Sequence, residues 1–111
     1  MRKISKESVS AFLNGKSFCK GNMSVHVRDE NVSLNLHGNT IAEKRGNHIY
    51  ISNARWTTNT TKERLNALLS ELNKGYIFQK QRIWYWTVNE KTIEFPYGEF
   101  VFVEHYLQYI I

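Results

Sequence analysis

Apolar residues recur along this chain at two periods, first that of a helix and then that of a strand. In SKESVSAFLNG, Val9, Phe12 and Leu13 share one face of a short helix that Ser5 can cap and Gly15 can stop. The period then drops to two. Met23, Val25 and Val27 alternate with Ser24, His26 and Arg28, and Val32, Leu34 and Leu36 alternate with Ser33, Asn35 and His37. Ile49 and Ile51 oppose His48 and Tyr50 in the same way. The turn signals DEN, HGN and RGN separate these runs at hairpin spacing, which predicts an antiparallel meander of three or four strands with one apolar face. TIAEKR is the ambiguous member. Either Ile41 or Ala42 must face the core, because a one-residue slip exchanges the faces, and a three-residue loop at 38–40 turns Ala42 inward.

The helical period returns with Leu65, Leu68, Leu69 and Leu72 at i, i+3, i+4 and i+7. Thr60 and Glu63 form a capping box ahead of them, with Thr61 as the competing cap and Gly75 as the stop. The expected helix covers about 61–73 and lies on the apolar face of the sheet, where four buried leucines contribute about 6–10 kcal/mol before entropy. YIFQK, IWYWTV and KTIEF follow, with NEK as a turn, and read as a second, aromatic meander. Pro96 and Gly98 interrupt the pattern, after which EFVFVEHYLQYII extends as a final strand or packs as a short tail helix. The predicted fold is α+β: antiparallel β-meanders, one central helix packed on the sheet, and a short N-terminal helix. It forms one domain over residues 1–111, without linker or repeat.

Composition narrows the function classes. Of 111 residues, 41% are hydrophobic and 14% aromatic, which is too rich in core-forming side chains for a disordered chain. No apolar run approaches the roughly 20 residues that span a bilayer, so no membrane partner is expected. The start, MRKISKESVSAFLNGKSF, has no continuous apolar stretch and does not read as a secretory signal. Cys19 is the single cysteine, which excludes an internal disulfide framework and suits a reducing cytoplasm. The net charge of +5 permits nucleic acid or an acidic protein surface as partner.

Tests for catalytic chemistry return little. His26, His37, His48 and His105 have no i,i+4 pair and no cysteine pair beside them, so no metal site is expected. Asp29 is the only aspartate, which leaves two-metal chemistry unsupported. A thiolate nucleophile at Cys19 lacks a specified base, and neither a G-x-S-x-G elbow nor a phosphate-cradling glycine loop occurs. The expectation is a non-enzyme without cofactor. Binding chemistry is better represented. Trp84 and Trp86 share one strand face, with Tyr85 on the other and Lys80 and Arg82 nearby. The tryptophans are core if they face the helix, and a stacking platform or protein hot spot if they face outward. The loop over 53–61 is either structural, with its Asn and Thr side chains satisfying backbone groups and Trp56 stapling it to the core, or a polar surface with Arg55 and Lys62 at a helix start, suitable for an anion, against which Glu63 in the first turn works. Tyr85, Tyr106 and Tyr109 belong to an aromatic stretch over 84–109 that is expected to form a homodimer or partner surface.

The segments LHGNTIA, IYIS, NARWTTNTTKERLNALL and FQKQRIWYW resemble a group of small accessory proteins of tailed bacteriophages, over about residues 4–103. The most specific part is W-x-T-x-T-T-x-x-R-L-N-A-L. Glycine more often stands at the position of Arg55 in such proteins, which argues against a strict backbone turn there. The resemblance implies a phage-derived protein acting in the bacterial cytoplasm. The leading expectation is a module that binds a host or defence protein, with an anti-defence role among its readings. The alternative is a sequence-tolerant RNA or DNA binder using the basic and aromatic surface.

Overall fold

The computed structural model describes residues 2–104, so the sequence readings for Tyr106, Tyr109 and the end of the chain lie outside the described residues. Helix α1 spans Lys3–Leu13 and leads into a meander of β1 (Phe18–Lys20), β2 (Met23–Arg28), β3 (Asn31–Leu36), β4 (Asn39–Arg45) and β5 (His48–Ile51). Helix α2 (Asn59–Leu72) follows, then a second meander of β6 (Tyr76–Lys80), β7 (Ile83–Val88) and β8 (Lys91–Glu94). A short β9 (Val101–Phe102) returns to the first sheet. The sheets have the orders β1-β2-β3-β4-β5-β9 and β6-β7-β8, and the pairings are antiparallel. The architecture is the α+β arrangement that the two periodicities predict.

The inward residues of β2 and β3 (Met23, Val25, Val32 and Leu34) form the floor of the core. The cover differs from expectation. Helix α1 lies over β2 and β3, burying Val9 and Phe12 completely, and α2 packs beside α1 against β4 and β6. The second helix therefore bridges the two sheets instead of lying alone across the first. Leu65, Leu68 and Leu69 are fully buried there, whereas Leu72 is half-buried at the helix end.

Both cap assignments change. Helix α1 begins at Lys3, with Arg2 in the cap position and no side-chain cap bond. Ser5 lies buried inside the helix, donating to Glu63 Oε1 at 2.5 Å and accepting from Arg64 Nη1 at 3.0 Å. Helix α2 is capped by Thr58, whose Oγ1 accepts from the Thr61 amide at 3.2 Å. Neither Thr60 nor Thr61 is the cap. Thr61 is fully buried with its hydroxyl 3.0 Å from that of Thr58, and Glu63, held by Ser5 and Arg64, cannot close a capping box. The helix ends on Asn73 in the left-handed region (φ 56°), ahead of Gly75. Gly75 has a different reason: a Cβ there would lie 1.9 Å from the Thr87 carbonyl oxygen of β7.

The ambiguity in β4 resolves through a bulge. A two-residue turn at His37 and Gly38 pairs Leu36 with Asn39 and Asn35 with Thr40, but Leu34 then pairs with Ala42. Ile41 is the extra residue. A bulge lets two consecutive side chains leave the ladder toward covered space, and Ile41 and Ala42 are both buried, at 1% and 0% exposure. The three-residue loop at 38–40 is absent because the bulge supplies the shift it was needed for.

Candidate functional site

The loop joining β5 to α2 starts buried and ends exposed. Ser52 Oγ accepts from the Ala54 amide at 3.0 Å, and Asn53 Oδ1 accepts from the amides of Arg55 and Gly98, each at 2.9 Å. The Trp56 amide closes a tight turn onto the Asn53 carbonyl at 2.8 Å. Ala54 and Arg55, the central residues, both have positive φ (53° and 67°), the geometry of a type I′ turn. A strict backbone turn is therefore present at Arg55, with arginine in a conformation that costs a side chain about 1–2 kcal/mol. The segment at 97–98 supports it. Tyr97 Oη donates to the Arg55 carbonyl at 3.4 Å, and a Cβ on Gly98 would meet Arg55 Cγ at 2.8 Å.

This turn fixes the backbone of Trp56 and leaves its side chain 53% exposed. The indole stands over a cleft of about 330 Å³ between the β3–β4 hairpin and the start of α2. Leu36 and Ile41 make its floor, and His37, Asn39, Thr58, Thr60 and Thr61 its polar surround. The bulge that turns Ile41 inward thus also furnishes the cleft. Hydrocarbon, indole, hydroxyl and amide dominate the lining, with the exposed His37 imidazole at the lip. Such a surface can hold an apolar group and offer it polar contacts at the mouth. Among the described residues no group of three or more His, Cys, Asp and Glu could hold a metal ion.

The remaining sequence candidates fall elsewhere. Arg55 is exposed beside Gly98, but Lys62 turns toward the second sheet, 3.2 Å from Gln79 Oε1 and 5.9 Å above the Trp84 ring. The two cations are not brought together over one anion. Trp84 and Trp86 are core, at 3% and 0% exposure, which removes them as a stacking platform. They pack around Phe95, with ring centroids 6.1 and 6.4 Å away, and Trp86 Nε1 donates to the Lys74 carbonyl at 2.8 Å. Tyr85 is half-buried on the opposite face, stacked on Phe78 at 5.6 Å, with Tyr76 next along at 6.1 Å from Phe78. Lys80 and Arg82 are exposed at the β6–β7 turn, where Gln81 and Arg82 both adopt positive φ.

Two residues of structural weight escape the sequence reading. Arg64 is only 2% exposed, and its guanidinium bonds to Ser5, to Glu63 and to Asn22 Oδ1 (3.2 Å), tying α2 to α1 and to the turn before β2. Its signal was there: Arg64 stands four residues before Leu68, on the apolar stripe, where a charge needs a partner. Asn66 bonds the backbone of Ile77 twice, accepting from its N–H at 2.6 Å and donating to its carbonyl at 2.8 Å.

Among the described residues no helix is long and apolar enough to cross a membrane. No curated protein and no solved structure matches the chain. A family model described as Kyanoviridae Gp96 protein matches residues 1–102, and the chain belongs to that family of bacteriophage proteins.

Proposed function

We propose that this phage protein is a non-enzymatic interaction module that acts in the cytoplasm of the bacterial host by binding a protein of the host or of its defences. The observation that carries the reading is Trp56, half-exposed over an apolar-floored cleft on a loop whose backbone is already ordered. Tryptophan brings a large apolar area and is enriched among the residues that dominate binding energy. A loop ordered in advance loses little entropy on association, so more of the contact energy appears as affinity. The test is affinity capture from infected-cell lysate, with and without nuclease, using the wild type and Trp56→Ala. A discrete protein recovered despite nuclease and lost with Trp56→Ala supports the reading. Recovery indifferent to Trp56 refutes it.

One observation favours nucleic acid as the alternative partner. The outer face of the second sheet carries Tyr76, Phe78 and Tyr85 in a row, with Lys80 and Arg82 at its end. Base stacking on such a row, with cations on the phosphates, would give sequence-tolerant binding that weakens steeply with salt. Filter binding of a mixed oligonucleotide at low and physiological salt tests it, and no binding at low salt removes it.

A further inference from the structure

We infer that the outward surface of α1, together with the turn that leads into β1, binds the phosphate backbone of a nucleic acid, on a site separate from both the Trp56 cleft and the aromatic row of the second sheet. The net charge of the chain is concentrated there. Five of the 15 cationic side chains but only one of the 10 acidic ones fall within residues 2–20, so the rest of the chain is nearly balanced. Glu7, that one acid, is paired with Lys20 at 3.1 Å. Arg2, Lys3, Lys6 and Lys16 are exposed, and their side chains meet no carboxylate among the described residues. Glu63 reaches α1 from α2, but Ser5 and Arg64 hold it. At the other end of the helix Lys44 Nζ donates to the Leu13 carbonyl at 3.0 Å, which sets a further cation against the negative end of α1.

Helical spacing puts these groups in file. Lys3, Lys6 and Ser10 follow one another at i, i+3 and i+7 on the solvent side of α1, Asn14 continues the line from the C-cap, and Lys16 and Ser17 carry it toward β1. An open groove of about 520 Å³ runs between α1 and β1, with Lys6, Lys16, Ser10, Asn14 and Ser17 in its lining. From Lys3 to Asn14 the helix covers about 16 Å, the axial length over which one strand of a duplex carries about five phosphates. Lysines interspersed with hydroxyl and amide groups are the side chains that contact phosphate oxygens. Two other anionic partners suit this surface less. A helix that lies on a lipid surface needs bulky apolar side chains on its outer side, whereas Val9 and Phe12 of α1 are fully buried against the sheet and the outward line is polar. Protein interfaces are depleted of lysine, which supplies three of the four unpaired cations here.

The test is fluorescence anisotropy of a labelled mixed-sequence DNA duplex with the full chain, over a range of salt concentrations. The wild type should bind at low salt, with the logarithm of affinity falling against that of salt at a slope of about −3 to −4, as four neutralised phosphates require. The combined variant Lys3→Gln, Lys6→Gln, Lys16→Gln should bind more than about tenfold more weakly and show a slope shallower by about 2–3, while the three corresponding Lys→Arg changes keep both. Lys80→Gln with Arg82→Gln, and separately Trp56→Ala, should leave the affinity within about twofold of wild type. No binding at low salt, an unchanged slope in the glutamine variant, or equal loss in the arginine variant overturns the inference. So does loss through Lys80 and Arg82 instead, which would assign nucleic acid to the second sheet. Poly-glutamate or phosphatidylserine vesicles binding as tightly as the duplex overturn it as well, by giving the surface to an acidic protein or to lipid. Capture of a nuclease-resistant protein through Trp56 does not depend on these lysines, so the two readings fail separately.

Discussion

Replacing Asn53 by alanine should remove more stability than any other single change in the loop that presents Trp56. The Asn53 side chain is 1% exposed, and its Oδ1 is the acceptor for two backbone amides, Arg55 and Gly98, from segments distant in sequence. Truncation leaves both donors without that acceptor and opens a small void. A neutral hydrogen bond contributes about 0.5–1.5 kcal/mol net, and a donor left unsatisfied in a buried position costs about 1–3 kcal/mol. Gly98 is half-buried and Arg55 exposed, so water recovers part of the loss at Arg55. The expected total is about 2–4 kcal/mol, a large share of the roughly 5–15 kcal/mol typical of domains. Urea unfolding of the wild type and Asn53→Ala measures it. Tyr97→Phe is the control, because its 3.4 Å bond to the Arg55 carbonyl is long and exposed and should contribute less than about 0.5 kcal/mol. A loss below about 0.5 kcal/mol for Asn53→Ala, or equal losses for the two variants, would refute the assignment of Asn53 as the holder of the turn.

Thr58→Ala should cost about 1 kcal/mol in thermal or urea unfolding while Thr60→Ala stays near wild type; the reverse order would return the cap to the capping-box position. Leu68→Ala should cost about 2–5 kcal/mol through lost burial and a cavity, and a loss below about 0.5 kcal/mol would mean that this helix face is not core. Arg55→Gly should stabilise by about 0.5–1 kcal/mol, since glycine adopts φ 67° without the side-chain penalty and its greater unfolded entropy offsets only part of the gain; destabilisation would show that the arginine makes a compensating contact. If the outer face of Tyr76, Phe78 and Tyr85 pairs with a second copy, sedimentation at rising concentration should show a dimer that Tyr85→Glu disperses, and a monomer throughout would exclude self-association.

Strands β2 to β5 were legible because period two survives whatever lies above the sheet, and the turns between them carried their own markers; β1, three residues long, is too short to show a period and was not read as a strand. Ile41 and Ala42 were not, because a bulge adds a residue without changing the alphabet of the strand, and strict alternation forces a choice that the chain does not make. The cap was obscured by chemistry repeated four times: Thr57, Thr58, Thr60 and Thr61 all offer a hydroxyl, and burial of Thr61 against the core decides among them. Alternation placed Trp84 and Trp86 together but could not say what covered them; Phe95, past the end of β8, is part of the answer. At the cleft, Trp56 was visible as an unusual residue in a polar loop. Its neighbours Leu36, His37, Asn39 and Ile41 come from a hairpin far back in the chain, and only the folded register brings them under the indole.

The doubly bonded Asn66 has a consequence for how this protein behaves when crowded. An outermost strand is a template: its unpaired peptide groups invite any extended segment to add on and continue the sheet. At Ile77 of β6 those groups are occupied by a carboxamide, which presents a donor and an acceptor much as a peptide unit of a neighbouring strand would. The side chain acts as a one-residue counterfeit of that neighbour, supplied from a helix that cannot itself propagate the ladder. The β6 edge is thereby blocked at Ile77, while at the other edge of the sheet β8 carries exposed Lys91 and Glu94, charged residues that discourage edge-to-edge pairing.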